Sequence, residues 1–127
     1  MDKSQGTWIG IRLESEENMN KIIVPKTIET RVVGTTFDNR QVVVALLTQW
    51  EQVFLIREPD NNFDSNAIKV QRWDHQQFGY LNRELAKILA PRMDRFGRPI
   101  KGTVIRLTGG YSSASSLGVE VRFRMPE

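Results

Sequence analysis

Hydrophobic and polar positions alternate along several short stretches of the chain, which is the pattern of half-buried β-strands. In NAIKVQRW (66–73), Ile68 and Val70 point to one side and Lys69 and Gln71 to the other. Runs of β-branched and apolar residues predict further strands. These are RVVGTTF (31–37), QVFLIRE (52–58), GTVIRLT (102–108) and LGVEVRFRM (117–125).

One stretch changes to the 3.6-residue period of an amphipathic helix. Leu85, Ile88 and Leu89 fall on one helical face, and Asn82 stands where an N-cap is expected. Pro91 lacks a backbone N–H, so we expect the helix to end or kink near Ala90.

A second helix is predicted on weaker grounds in NRQVVVALLTQW (39–50). Asn39 is a suitable cap, and Val43, Leu46 and Leu47 have helical spacing, whereas the run of three valines favours a strand. We favour a short helix.

Many short strands with one or two helices are typical of a mainly β fold with short helices. We expect a small antiparallel β-barrel formed by residues 29–127. Residues 1–28 contain two short β-prone runs around a polar stretch, which predicts an N-terminal arm or β-hairpin extension.

Composition excludes several kinds of site. The 127 residues suggest one domain, and the lack of cysteine excludes disulfides and cysteine-bound zinc. One histidine makes a histidine-rich metal site improbable, and we expect no cofactor. No apolar run reaches the length of a membrane span, and the N-terminus lacks an export signal. We therefore expect a cytoplasmic protein without membrane partners.

Charge gives a weaker indication. The net charge of +3 is a mild bias toward polyanions. Basic residues dominate the last third of the chain, which is consistent with a phosphate backbone as ligand or with an ordinary solvated rim. The basic residues are Arg98, Lys101, Arg106, Arg122 and Arg124, against the acidic Glu120 and Glu127.

The segment DNNFDSN resembles a calcium loop only in part. Asp60, Asn62 and Asp64 have the spacing of its first ligands, but Ser65 replaces the required glycine and Gln71 the bidentate glutamate. The sequence also lacks a nucleophile elbow and a phosphate-binding glycine loop. We expect a binding protein rather than an enzyme.

Two phenylalanines stand in polar turns. Phe37 lies in TTFDN and Phe63 in REPDNNFDSNAIKV (57–70). Such a ring either folds back over the end of the barrel or remains at the surface, where it can stack on a nucleobase. The neighbouring Asp64 has two interpretations as well, because aspartate often accepts a hydrogen bond from its own turn.

Three segments together resemble the HIRAN domain: VVGTTFDNRQ, FLIREPDNNFDSNAIKV and QFGYLNRELAKILAP, in this order. The resemblance covers about residues 31–108. HIRAN domains occur fused to SWI/SNF-type translocases and as small bacterial proteins, and this chain resembles the stand-alone bacterial type. The resemblance implies an OB-like or SH3-like antiparallel barrel with one or two helices. It also implies that the chain captures free 3′-hydroxyl ends of single-stranded DNA in repair or replication.

The resemblance also implies roles for individual residues. Phe63 would stack on the terminal base and Asp64 would accept a hydrogen bond from the 3′-hydroxyl. A second ring, a polar loop residue, a polar ring at the pocket and a basic residue near the phosphates would be Phe37, Asn61, Tyr80 and Arg83.

The chain departs from the eukaryotic pattern on either side of Phe37. A basic residue and a second ring are expected there, and the sequence has Thr36 and Asp38 instead. We expect Arg40 to supply the missing charge. The implied partners are a single-stranded DNA 3′ end and a helicase, nuclease or other repair protein.

Two alternatives stay open. One is a protein-interaction adaptor that does not bind nucleic acid. The other is a small metal-dependent nuclease that uses Asp60, Asp64 and Asp74.

Overall fold

The computed structural model describes residues 27–112 and 115–126. The six strands are β1 (Thr27–Arg31), β2 (Gln52–Arg57), β3 (Ile68–Arg72), β4 (Gln77–Tyr80), β5 (Ile100–Gly109) and β6 (Leu117–Arg124). The two helices are α1 (Arg40–Val44) and α2 (Arg83–Phe96). The expected arm of residues 1–28 lies outside this part of the chain, except for Thr27 and Ile28 in β1. The division into 1–28 and 29–127 stays a prediction.

The strands form one antiparallel sheet in the order β1-β6-β5-β2-β3-β4, which confirms the mainly β class with two helices. The sheet curls until its two edges meet. Val33, just beyond β1, exchanges two backbone hydrogen bonds of 2.9 Å with Tyr80 of β4. Gly79 permits this approach, because a Cβ there would lie 2.4 Å from Val32 Cγ1 and 2.6 Å from the Val33 carbonyl oxygen.

The core fills the concave side of the sheet. Alternate residues of β2 and β3, such as Val53, Leu55, Ile68 and Val70, are fully buried, and the sequence pattern predicted this shared face for Ile68 and Val70. Gln71 is also buried, contrary to the alternation, because the pairing of β3 with β4 shifts between Val70 and Gln71.

The strands predicted at 52–58, 66–73, 102–108 and 117–125 are confirmed as β2, β3, β5 and β6. The strand predicted at 31–37 is wrong. β1 ends at Arg31, and Val33 makes only an isolated bridge. Gly34 has a φ of 72°, which extended strands do not adopt, and a turn follows it.

The predicted helix at 39–50 is confirmed, although only over Arg40–Val44. The capping prediction is wrong, because Asn39 has a φ of 62° and its side chain makes no capping hydrogen bond. α2 is capped as predicted: the Leu85 N–H donates to Asn82 Oδ1 at 2.9 Å.

An end or a kink of α2 was predicted near Ala90, and the end is wrong, because the helix continues through Pro91 to Phe96. Burial of Ala90 and Met93 holds the last turns against the core, which outweighs the hydrogen bond that proline cannot donate. The helix stops at Gly97, whose φ is 80°. The predicted face is also corrected, since Ile88 is exposed while Ala86 and Leu89 are buried.

Within residues 27–112 and 115–126, neither helix is long and apolar enough to cross a membrane. The cytoplasmic location expected from the sequence stays a prediction.

Candidate functional site

The loop between β2 and β3 is organised around one amide side chain. Asn61 Oδ1 accepts hydrogen bonds from the backbone N–H groups of Phe63 (2.9 Å) and Asp64 (3.1 Å). Its Nδ2 donates to Glu58 Oε1 at 2.9 Å and lies 3.4 Å from the Tyr80 hydroxyl. An asparagine can fold a turn in this way because its short side chain reaches backbone groups two and three residues ahead. Asn61 therefore fixes the positions of the next two candidate residues.

Phe63 is the side chain that this turn displays. The residue is 88% exposed, so it does not fold back over the end of the barrel. An isolated exposed ring contributes little to folding, since it leaves almost none of its apolar surface buried. The ring is therefore available for contact with a ligand.

Asp64 is only partly committed to the turn. Its Oδ1 accepts the Asn66 N–H at 2.9 Å, as the local interpretation of this aspartate predicted. Its Oδ2 lies 3.4 Å from Arg83 Nε, and the side chain is 21% exposed. One carboxylate oxygen is thus tied to the backbone, and the other faces a cation at the surface.

Arg83 connects the loop to the start of α2. Its Nη2 donates to the Phe63 carbonyl oxygen at 2.8 Å, while its side chain remains 71% exposed. The sequence placed a basic residue here, and the structure brings it directly to Phe63 and Asp64. An exposed guanidinium retains donors that can bind phosphate oxygens.

Glu58 is the residue of this site that sequence reasoning missed. Its Oε1 accepts hydrogen bonds from Asn61 and from the Tyr80 hydroxyl (2.8 Å), and Lys69 Nζ lies 4.0 Å from its Oε2. Burial by itself raises the pKa of Glu58, but hydrogen bonds from Asn61 and Tyr80, with the charges of Lys69 and Arg40, lower it below 4.5. The only signal in the sequence was its place directly after β2, where a carboxylate is easily taken for a turn residue.

Tyr80 and Arg40 extend the network toward the turn after β1. The Arg40 guanidinium lies 5.2 Å from the centre of the Tyr80 ring, within the range of a cation–π contact. It also donates to the Gly34 carbonyl oxygen at 2.8 Å and to Asp38 Oδ2 at 3.2 Å. The Arg40 side chain is only 13% exposed, so its charge is largely engaged within the protein.

Phe37 lies at the far end of this network. Its ring is 65% exposed, and its carbonyl oxygen accepts the Arg40 N–H at 3.0 Å. Thr36 and Asp38, which replace the basic residue and the second ring of the eukaryotic pattern, differ in their effect. Thr36 is exposed, whereas Asp38 pairs with Arg40 and so competes with any phosphate for that cation.

The seven sequence-predicted residues thus belong to one connected set, formed by the end of β4, the starts of both helices and the neighbouring loops, with Glu58 at its centre. The acidic residues suggested for a nuclease do not come together. Asp74 lies in the β3–β4 turn and pairs with Arg72 at 3.1 Å. No group of three His, Asp or Glu residues placed to hold a metal ion is found in 27–112 or 115–126.

The curled antiparallel sheet is a small barrel of the OB-like type, and its surface carries an exposed ring beside a tethered carboxylate. Comparison with known proteins identifies it further. The model of the HIRAN domain matches residues 25–123, and the chain belongs to the HIRAN domain family. The resemblance found in the sequence is thereby confirmed.

Two curated relatives illustrate where such domains occur. The chain is 37% identical over 111 residues to the helicase-like transcription factor of Oryctolagus cuniculus, a match that covers 87% of this chain. It is 35% identical over 89 residues, 70% of its length, to the Fanconi-associated nuclease 1 homolog of Arabidopsis thaliana. In both cases the match covers 10% of the relative, so the chain spans about a tenth of the curated relatives it matches.

Solved structures confirm the fold. The crystal structure of the HIRAN domain of human HLTF is matched with a TM-score of 0.59 and 31% identity, over 80% of this chain and 78% of that one. A protein from Lactobacillus plantarum is matched with a TM-score of 0.58 and 28% identity, over 79% of this chain and 93% of that one. The NMR structure of the HLTF HIRAN domain in its DNA-bound conformation is matched with a TM-score of 0.53 and 31% identity, over 80% of this chain and 77% of that one.

Proposed function

We propose that this chain is a single-stranded DNA-binding module that captures free 3′-hydroxyl ends in DNA repair or replication. The observation that carries the proposal is the pairing of an 88% exposed ring, Phe63, with a carboxylate oxygen of Asp64 that no backbone group occupies. The DNA-bound conformation of the matched HLTF domain supports the same ligand class.

Phe63 supplies stacking in this proposal. A base stacked on an aromatic side chain contributes about 1–3 kcal/mol, whatever the base, because every base has a π-face. The ring needs no rearrangement before it binds, since Asn61 already holds the backbone that carries it. The site is therefore expected to accept ends of any sequence.

Asp64 supplies recognition of the terminus. An ionised carboxylate only accepts hydrogen bonds, and a 3′-hydroxyl can donate one to it. Because Oδ1 is engaged with the Asn66 N–H, the acceptor for this bond is Oδ2. A chain that continues past the sugar would place a phosphate against that oxygen, which has no proton to donate.

Arg83 supplies the contact to phosphate. When the 3′-hydroxyl binds to Asp64 Oδ2, the Arg83 guanidinium moves from that oxygen to the last phosphate. The bond from Arg83 to the Phe63 carbonyl oxygen keeps the side chain at the loop. A bond between an arginine and a phosphate is charge-assisted and about twice as strong as a neutral one. Binding is therefore expected to weaken as salt rises.

The domain itself is proposed to bind rather than to catalyse. The matched relatives are named as a nuclease and as a helicase-like factor, and the chain corresponds to about a tenth of each. We propose that the captured 3′ end is presented to a helicase, nuclease or other repair enzyme. A protein-interaction adaptor remains the competing function.

Fluorescence anisotropy with labelled oligonucleotides tests this function. We expect tight binding of a 3′-hydroxyl strand and weak binding of the same strand with a 3′-phosphate. Phe63→Ala should weaken the binding of every single-stranded oligonucleotide by about 1–3 kcal/mol, roughly 5- to 150-fold in affinity, without lowering the melting temperature of the protein. Tyr111→Ala is the matched control, since that ring is 92% exposed on another loop.

The Asp64→Asn variant tests end recognition separately. The amide retains an oxygen but loses the charge, so the preference for a hydroxyl over a phosphate should shrink about tenfold. Asp60→Asn removes the same charge from an exposed position in the same loop and should retain the preference. Equal binding of all end types by the unaltered protein would refute the proposal.

A further inference from the structure

The convex face of the sheet carries a row of cations that begins beside the candidate site. Lys69 pairs with Tyr80 of β4 on one side and with Ile56 of β2 on the other. Two residues along β2, Phe54 pairs with Lys101 of β5. Gly102 pairs with Phe123, so Lys101 is level with Arg124 of β6. The strand pairing therefore connects Tyr80 of β4 to Arg124 of β6 across five adjacent strands.

The cations at the far end of this row have no acidic partner. Arg98, Lys101 and Arg124 form no ion pair in the part of the chain that the structure describes, and all three are exposed. Arg122 beside them pairs with Glu29 at 2.9 Å, but both side chains are about half exposed. Unpaired cations gathered on one face repel one another unless an anion binds between them.

Although the sheet as a whole is convex on this side, its surface is locally indented at these cations. Two adjoining depressions share Lys101 and Arg124, and together they form one groove across the ends of β5 and β6. The larger depression, about 660 Å³, is lined in addition by Phe96, Arg98 and Met125. The Arg98 guanidinium lies 4.8 Å from the centre of the Phe96 ring, so one end of the groove combines charge with an aromatic surface.

The distance from this groove to the candidate site suits a short strand. Lys101 is two strands from Lys69, about 10 Å at the usual strand spacing, and two residues further along, about 7 Å. The resulting separation of roughly 12 Å corresponds to about three to four stacked nucleotides. Between them lie Phe54 and Ile56, both only partly buried.

We propose that this groove is a second DNA contact, which holds the phosphate backbone of the strand on the 5′ side of the captured 3′ end. The inference rests on the proposed function and adds a direction to it: the strand leaves the site across the sheet rather than along α2. Lys101 and Arg124 bind phosphates, and Arg98 with Phe96 receives the strand beyond them. The chain should therefore bind longer single strands more tightly than short ones.

Binding of 3′-hydroxyl oligonucleotides of about 2 nucleotides, too short to reach the groove, and of about 14 nucleotides, measured between about 50 and 200 mM salt, tests this inference. The double variant Lys101→Gln/Arg124→Gln should lose about tenfold or more in affinity for the long strand and bind the short strand unchanged. Its salt slope should fall by about two, one for each lost phosphate contact. The preference for a 3′-hydroxyl over a 3′-phosphate should persist.

The double variant Lys87→Gln/Arg95→Gln is the matched control. It removes the same charge from two exposed positions on α2, the competing route. Loss of affinity in this variant alone, or an unchanged salt slope in the groove variant, would overturn the inference while the end preference stands. Absence of any end preference in the unaltered protein would instead overturn the proposed function, and this inference with it.

Discussion

The two ends of β2 each hold a carboxylate in a polar network, but the networks differ in kind. Glu51, just before the strand, accepts a 2.8 Å bond from Arg72 and a 3.0 Å bond from the Thr48 N–H. The Glu51 and Arg72 side chains are only 10% and 12% exposed. Glu58, just after the strand, has neutral donors in Asn61 and Tyr80 and a distant cation in Lys69.

Both ends also display aromatic side chains. Trp50 and Trp73 are each 60% exposed beside the Glu51–Arg72 pair, as Phe63 is beside Glu58. At the Glu51 end each of the three charged side chains has a partner, since Arg72 bonds to both Glu51 and Asp74. At the Glu58 end, Asp64 Oδ2 has only a 3.4 Å contact with Arg83, whose side chain is 71% exposed. A closed ion pair supports folding, whereas a network with unused donors and acceptors is suited to a ligand.

The largest effect is expected from breaking the closed network. Arg72→Met leaves the nearly buried Glu51 without its partner, and the loss of one member of a buried pair typically costs about 3–5 kcal/mol. We expect a decrease of about that size in the free energy of unfolding, measured by urea denaturation. Affinity for a 3′-hydroxyl strand should be retained at temperatures where the variant is folded. A decrease below about 1 kcal/mol would show that the pair is not an anchor of the fold.

A smaller effect on stability, with a larger effect on binding, is expected at the open network. Asn61→Ala removes the bonds to the Phe63 and Asp64 N–H groups and to Glu58. We expect a loss of about 1–3 kcal/mol in the free energy of unfolding. We also expect loss of the 3′-hydroxyl preference, because the loop no longer holds its ring and carboxylate together. Asn62→Ala, at an exposed neighbouring position, is the control and should change neither quantity.

The smallest effect is expected from pH. Burial raises the pKa of Glu51 and of Glu58, but their hydrogen bonds and nearby cations lower the pKa by a larger amount. Both folded pKa values therefore lie below 4.5. Each carboxylate therefore stabilises the fold above about pH 4.5, and this contribution is lost as the pH falls through the folded pKa.

Glu58→Gln tests this pH dependence at the open end alone. The variant should show a shallower decline in the urea midpoint between about pH 5 and pH 3 than the unaltered protein. Glu84→Gln removes the same charge from an exposed position at the start of α2 and serves as the control for the change in net charge. The same slope in all three proteins would mean that Glu58 is protonated alike in the folded and unfolded states.

Patterns with a local cause were readable in the sequence. The alternation in β3, the cap at Asn82 and the polar loop after β2 follow from the chemistry of neighbouring residues, so they were predicted with the correct residues. The failures at Gly34 and Pro91 have a different origin. Strand pairing at the sheet edges and burial of Ala90 and Met93 decided those positions, and neither is encoded within a few residues.

The candidate site divides along the same line. Sequence by itself determined which side chains were available: an aromatic ring, a carboxylate and an asparagine in one polar loop, with a basic residue at a later helix start. Only the tertiary structure decided that Arg83 meets Asp64, that Arg40 is occupied by Asp38 and Tyr80, and that Glu58 lies at the centre. Apart from the local pair of Arg40 with Asp38, these contacts join residues 19 or more positions apart, and a chain brings such residues together only when the sheet has curled and its edges have paired.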